Sequence, residues 1–368
     1  MTKGRLHAAF FCILSLLFGT IKAERQGNGV RNDLIRTRCG ILSAASVAGH
    51  KEKAGPLGGH FDLHSADDKF GQTTWERAEA EMQHMAFTTA LAKGKLHVGD
   101  VGMAFAGDLL NQCVGAAYGL LDFDLPYLGL YGACSTAAEG ILLSALMVTG
   151  GFCKRAAAVA SSHFCTAERQ YRAPVEYGGQ RSPTAQWTVT GAGAFIVGGA
   201  EESSVLIRGV LPGTVREKGV RDVANMGAAM APAAADTLLR FFRQTGKSAT
   251  DFDLIVTGDL GYEGGDILCE LMRLEGADIR DVYNDCGMMI YNRKTQDTHA
   301  GGSGCGCSAA VLAAYLLPAL SRGDLNRVLF LGTGAMMSPQ SIQQGRCIPA
   351  VAHLICLTGG KEKTWELC

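Results

Sequence analysis

The sequence predicts an α/β protein built from two similar halves fused in one chain, on three observations. The first is internal repetition. Trp75 to Leu91 has a helical pattern and is followed by GKLHVGDVGMAFAGDLLNQ; Met230 to Phe242 has another and is followed by GKSATDFDLIVTGDLGYEG. Each copy reads helix, Gly-Lys, a short turn with Asp, an apolar strand, then Gly-Asp-Leu, with Asp108 and Asp259 as anchors 151 residues apart. The second is another matched pair, GACSTAAEGILLSALMVTGGFCKRAAAVASS (132–162) and GCGCSAAVLAAYLLPALSRGDLNRVLFLGTG (304–334). Each is a Gly/Cys/Ser turn, a helix, a polar reverse turn with a basic residue, and an apolar strand. The third is the alternation of helices with wholly apolar strands, which favours a mostly parallel sheet with helices on both faces.

Each element then falls into place. A repeat of about 150 residues is too long for a solenoid, so the halves are expected to be related by a pseudo-twofold axis. Cys134 and Cys307 are 173 residues apart, which puts about 22 extra residues in the second copy, around YNRKTQDTHA. The hinge is placed in GGAEESSVLIRGVLPG (198–213). The halves are expected at 39–200 and 201–357, with residues 1–38 an N-terminal extension and 358–368 a tail. In open α/β sheets ligands sit beyond the carboxyl ends of the strands. Cys134, Ser161 to His163, Gly258-Asp259 and Gly332 to Gly334 all follow apolar strands and are expected near one face.

Composition narrows the function. Of 368 residues, 47% are hydrophobic and 19% charged, with a net charge of −1, which fits a sizeable core and gives no electrostatic case for nucleic acid as a partner. The 13 cysteines are spread through Ala/Gly/Leu-rich segments, where thiols pack as small apolar groups, so a reduced compartment is expected. Cys305 and Cys307 form CxC without the paired spacing of a zinc site, and neither metal nor cofactor is called for. Lys3 and Arg5 precede an apolar run from Ala8 to Gly19, with Ala23 beyond it. That is the shape of a signal peptide with Ile21 poorly suited to its cleavage site; a mis-started gene model reads equally well.

YGACSTAAE (131–139) carries the chemistry. A strand from Tyr127 to Tyr131, then Gly132, then a helix from about Ser135 sets Cys134 at a helix N-terminus. Unpaired N–H groups and the helix dipole there favour a thiolate, or would hold an oxyanion or a ligand carboxylate. The other reading is a small residue tolerated in a tight turn.

Two halves with such a Cys resemble the thiolase and ketoacyl-synthase superfamily, and the ordered motifs resemble one non-standard branch, the stage V sporulation protein AD family. The motifs are ILSAASVAGHKEKAGPLGGHFD (41–62), AGDLLNQ (106–112), YGACSTAAEG (131–140), ASSHFCTAERQYRAPVEYGGQRSPTAQWTVTGAGA (160–194), MGAAMAPAAADT (226–237), NDCGMMIY (284–291) and AGGSGCGCSA (300–309). The resemblance covers about residues 39–357. It implies a thiolase-like five-layered α-β-α-β-α fold and a role in moving dipicolinate (pyridine-2,6-dicarboxylate) into the forespore with membrane-embedded channel partners. It also implies peripheral association with the spore inner membrane, and it allows a homodimer. In thiolase-like relatives the strand near the nucleophile pairs across the dimer interface. The family pattern places a first strand ahead of ILSAAS, where residues 24–38 (ERQGNGVRNDLIRTR) are polar.

Condensing relatives also need a His, and an Asn or second His, from the second half. Here TGDLGYEG (257–264) has Gly258 where the His is wanted, and AGGSGCGCS has Gly302 where the Asn is wanted. His299 lies in a polar insertion, and His353 could approach from the C-terminal strands. The nucleophile position is kept and its partners are missing, so ligand binding is expected, with thioester-dependent acyl transfer by Cys134 the alternative. For a dianion, AERQYRAPVEYGGQR (167–181) offers Arg169, Arg172 and Arg181, though Glu168 and Glu176 are available to pair with them. The expected ligand set is Cys134, Ser135, His163, Arg169, Arg172 and His353. Asp108 and Asp259, at the same place in both copies, are expected to cap the helix that follows each.

Overall fold

The computed structural model describes residues 33–171, 181–359, 362 and 367, and the unit considered runs from Leu34 onward. It opens with β1 (Ile35–Ala48), whose burial alternates over its first four residues and is then nearly continuous. The strand thus begins inside the segment expected to be an extension, because one face of Ile35–Arg38 stays open while the other is covered. α1 (His50–Lys53) and the two-residue β2 (Leu63–His64) lead to α2 (Trp75–Gly94), where the Thr74 hydroxyl accepts the Arg77 N–H as an N-cap. Then come β3 (Met103–Gly107), α3 (Val114–Gly119), β4 (Tyr127–Leu130), α4 (Thr136–Thr149), β5 (Ala156–Ser162), α5 (Phe164–Tyr171), β6 (Trp187–Thr188) and β7 (Gly191–Gly199).

The second half runs β8 (Val205–Leu211), α6 (Met226–Thr245), β9 (Leu254–Thr257), α7 (Gly261–Leu274), β10 (Tyr283–Asp285) and α8 (Cys286–Met289). It continues through β11 (Gly302–Ser303), α9 (Cys305–Val311), α10 (Leu317–Arg322), β12 (Arg327–Ala335), α11 (Pro339–Gln343) and β13 (Ala350–Gly359). The link between halves is only the short turn Ala200–Glu202 and its flanks, tighter than the hinge read from the glycines.

The main strands form one continuous sheet in the order β10-β9-β12-β13-β8-β1-β7-β5-β3-β4, with β2 on β1. Counting the five main strands of each half in chain order, both halves read 3-2-4-5-1, so the duplication seen in the sequence is a duplication of topology. The halves meet through the antiparallel pair β1–β8. Parallel pairing is confined to β3–β4, β3–β5, β9–β10, β9–β12 and short pairs at β1–β2 and β6–β11. The sheet is therefore mixed, not mostly parallel. The fifth strand of each half, β7 or β13, runs antiparallel to both its neighbours, an arrangement that needs no crossover helix on the sheet.

Three packing layers of side chains explain the helices. Between the halves, α4 and the α9–α10 helix share one core with strands of both: Ile141 and Ala310 lie with Phe195 and Phe330. Outside, Met82 and Phe87 of α2 cover the first half, and Met230 and Phe241 of α6 cover the second. The result is the α-β-α-β-α order. Cys305–Arg322 is apolar enough to cross a bilayer, yet 78% of it is buried in the protein. A helix that is hydrophobic all round belongs to the core when protein surrounds it.

Candidate functional site

The local fold around Cys134 follows from small residues. Leu130 ends β4; Ala133–Ser135 make one tight helical turn; α4 begins at Thr136. Ala133 takes a left-handed φ of 52°, which costs a non-glycine residue of order 1 kcal/mol and is tolerated where surrounding packing over-determines it. Two contacts brace the turn: the Ser135 hydroxyl donates to the Gly132 carbonyl at 2.7 Å, and the Thr136 hydroxyl to the Ala133 carbonyl at 2.7 Å. Glycine at 332 and 334 on β12 lets that strand pass against the turn. A Cβ on Gly334 would stand 2.5 Å from the Gly132 oxygen.

Cys134 is 6% exposed, and its sulfur faces the Ser303 hydroxyl at 3.9 Å. Ser303 in turn donates to Asp259 Oδ2 at 3.0 Å, as does the Gly304 N–H at 3.0 Å; the Thr333 hydroxyl donates to Asp259 Oδ1 at 2.8 Å. Burial pushes the Cys134 thiol well above its ordinary value, and the neighbouring Asp259 carboxylate pushes it further the same way. Asp259 is itself raised by burial, against the pull of its donors. A helix N-terminus alone would favour the thiolate; here desolvation and a buried anion override it, and the thiol is held protonated.

The positions of the missing catalytic side chains are packed. A Cβ on Gly302 would meet Ile290 Cγ2 at 2.9 Å and Val189 Cγ2 at 3.1 Å, and one on Gly258 would meet Ser308 Cβ at 3.2 Å. The groups that do reach the site from these loops, Asp259 and Ser303, stand one residue beyond each. The sequence placed Gly258-Asp259 near this face but gave Asp259 a capping role, and it missed Ser303, whose only signal was a polar residue immediately after Gly302. The expected capping role holds for Asp108, which accepts the Leu110 and Ala116 N–H groups at 2.7 Å each. It does not hold for Asp259. Asp285 takes that place, accepting from the N–H groups of Leu260 (2.8 Å) and Gly261 (3.0 Å) ahead of α7, which frees Asp259 to tie β11 and β12 to the site.

A cavity of about 600 Å³ opens at the sulfur, lined by Cys134, Ser303 and Thr188 together with one polar wall and one methionine-rich wall. On one wall Tyr131 OH donates to Asn111 Oδ1 at 3.0 Å, Gln170 Nε2 donates to the same oxygen at 3.0 Å, and Tyr171 OH donates to the Leu109 carbonyl at 2.7 Å. The Tyr131 and Tyr171 hydroxyls also touch each other. The other wall is Met336 to Ser341, with Met226 nearby. Among the described residues no Lys or Arg lines this cavity.

Of the residues expected from sequence, Cys134 alone among the described ones lines it. Ser135 is buried on Gly132. His163 is fully buried with both nitrogens engaged: Nδ1 accepts the Cys165 N–H at 3.1 Å and Nε2 donates to the Asp68 carbonyl at 2.9 Å. It holds the 65–71 loop, and burial lowers its pKa. Arg169 lies on the outer side of α5, paired with Glu76. His353 accepts the Gly213 N–H at 3.0 Å, and burial, with Arg240 nearby, pushes it down to about 4. His299 bonds the Ser182 carbonyl at 2.8 Å and Asp297 at 3.1 Å. Arg172 lies outside the described residues. The physical reason for these displacements is common: each side chain found a nearer partner than the cavity.

Fold and site together define a thiolase-like protein with a buried cysteine at a strand-to-helix turn. Solved structures agree on the fold. A single-substitution variant of Xanthomonas campestris OleA matches with a TM-score of 0.56 at 14% identity, covering 89% of this chain and 100% of that one. The same variant bound with cerulenin matches at 0.55 and 14%, covering 89% and 99%. Sequence is more specific. The family model for stage V sporulation protein AD matches residues 29–358. Stage V sporulation protein AD of Bacillus subtilis (strain 168) is 44% identical over 313 residues, 85% of this chain and 92% of that protein. The chain belongs to the stage V sporulation protein AD family, which places it in a spore-related setting.

Proposed function

We propose that this chain binds dipicolinate in the Cys134 cavity, without turnover, and assists its uptake into the forespore beside membrane-embedded channel proteins. The observation that carries this reading is a roomy cavity ending on a thiol held protonated by burial and Asp259. Such a site is poor at thioester exchange, which needs a thiolate, and well suited to a ligand. Its walls supply what a flat diacid requires. The amide hydrogens of Asn111 and Gln340 have no partner among the described residues, and the Met226, Met336 and Met337 thioethers offer soft apolar faces for a ring. Neutral amide donors, in a partly desolvated cavity, can hold carboxylates through charge-assisted hydrogen bonds.

Calorimetry with purified protein tests it. One-to-one binding of dipicolinate is expected, weakened about tenfold or more by Asn111→Ala or Gln340→Ala, each of which removes a hydrogen bond to a charged group. No heat at millimolar ligand in the wild type would sink the proposal. The same reading includes peripheral association with the spore inner membrane and a second copy across the edge strand β4. Leu128 on that strand, and Tyr118 and Leu121 beside it, are 55%, 67% and 68% exposed, which supports an apolar partner surface. Light scattering that finds only monomer at micromolar protein would remove the dimer from it.

Acyl transfer remains as a second reading because the left-handed Ala133 presents Cys134 at a strained strand-to-helix turn. Mass spectrometry after incubation with acyl-CoA should then reveal an adduct that Cys134→Ala abolishes.

A further inference from the structure

A second cluster of charge lies behind β6, on the residue next to the cavity-lining Thr188. Trp187 carries Phe164 stacked on its ring at 4.0 Å and 13°. The Lys51 ammonium sits 3.9 Å from the same ring's centroid and the Arg181 guanidinium carbon 4.7 Å from it. Two cations converging on one indole repel each other. Burial lowers the pKa of Lys51, and the nearby Arg181 charge lowers it further, against the weaker pull of Glu52 and Asp297.

Their counter-charge is incomplete. Arg181 Nη2 donates to the Asp297 carbonyl at 2.5 Å and reaches its carboxylate at 3.3 Å, but that side chain is 81% exposed and is shared with His299. Arg181 Nη1 is buried and has no hydrogen-bond partner among the described residues. Lys51 makes no ion pair among the described residues. By contrast Lys53, on the same short helix, is satisfied on the Gly58 carbonyl at 2.8 Å. A buried guanidinium N–H without an acceptor is costly, and it marks a place where an acceptor belongs.

We propose that Lys51 and Arg181 form a binding site for a small oxyanion, a carboxylate or phosphate, at the edge of Trp187 and separate from the Cys134 cavity. The indole's faces are taken by Phe164 and the two cations, so the ligand is held through its oxygens: one on Arg181 Nη1, another on the Lys51 ammonium. An aromatic ring contributes nothing here, unlike in the cavity. The bound anion cancels the repulsion between the cations, and a guanidinium with an ammonium beside it suits a planar or tetrahedral oxyanion.

The test titrates the full chain with inorganic phosphate, and in a parallel arm acetate, at constant ionic strength, reading tryptophan fluorescence. Saturable change is expected, at least tenfold weaker in Lys51→Met and in Arg181→Gln and unaltered in Lys53→Met. Because Arg181→Gln alters a partly buried pair and with it the stability of the fold, a second measurement uses the wild type alone. Acetic anhydride labelling followed by peptide mass spectrometry should acetylate Lys51 readily and be suppressed several-fold there, not at Lys53, by phosphate. Absence of saturation with both anions, or equal protection of both lysines, overturns the proposal. Asn111→Ala and Gln340→Ala, which weaken dipicolinate at the cavity, leave phosphate saturation and Lys51 protection unaltered, so the two sites are told apart.

Discussion

Asp259→Asn tests whether the buried carboxylate holds the Cys134 thiol protonated. The sulfur is 3.9 Å from Ser303 Oγ, which is 3.0 Å from Asp259 Oδ2, so the thiol lies within about 7 Å of the carboxylate. At an effective dielectric of about 20, a thiolate and a carboxylate at that ~7 Å upper limit repel by about 2 kcal/mol, a minimum here because the two side chains also interact directly. Removing that charge multiplies the thiolate population by roughly 30 at any pH well below the thiol's titration. Asparagine keeps one oxygen for the Gly304 N–H and one of the hydroxyls, and the remaining hydroxyl can rotate to accept from the new amide. The expected stability loss is therefore about 1–3 kcal/mol, a cost the fold can absorb. The assay is iodoacetamide alkylation followed by peptide mass spectrometry, with the partly exposed Cys347 as internal reference. Cys134 should be modified about 30-fold faster in the variant while Cys347 is unchanged. If Cys134 is modified no faster, the carboxylate does not control the thiol, and the account of a disarmed nucleophile fails.

Other outcomes follow from the same structure. Glu79 is buried with Ser161 and Thr166 as donors, and burial with the Asp108 charge pushes it from 4.5 up to about 8. Between those values the unfolded chain sheds a proton that the folded one keeps, so stability falls as pH rises through that range. Glu79→Gln should flatten that slope in urea denaturation series; parallel curves for variant and wild type would contradict it. His353 has the opposite sign. Its folded pKa of about 4 against 6.5 means stability is lost as pH falls through that window, and His353→Leu should remove the acid-side loss while costing about 1–3 kcal/mol at neutrality for the stranded Gly213 N–H. Gly334→Ala would place a Cβ 2.5 Å from the Gly132 oxygen and 3.1 Å from the Ser135 nitrogen. A loss of about 2 kcal/mol or more in thermal denaturation is expected, with altered Cys134 reactivity; an unchanged melting point would show that β12 is free to move away.

The sequence by itself determined the duplicated architecture, the strand-to-helix turn holding Cys134, and the family. These are written in local pattern: the same order of helix, turn and apolar strand recurs, and Gly, Ala and Cys at the turn are read directly. What surrounds the thiol was decided only by the tertiary structure. Asp259, Ser303 and Thr333 come from three separate segments of the second half, the turn after β9 and the strands β11 and β12, and which of two adjacent residues reaches the sulfur depends on strand register and backbone direction, not on residue type. The arginines and histidines of the expected ligand set went elsewhere for the same reason. A long polar side chain binds the first adequate partner that packing offers: Glu76 for Arg169, the Gly213 N–H for His353, and the Asp68 carbonyl for His163. Those partners are distant in the chain, and only folding brings them near.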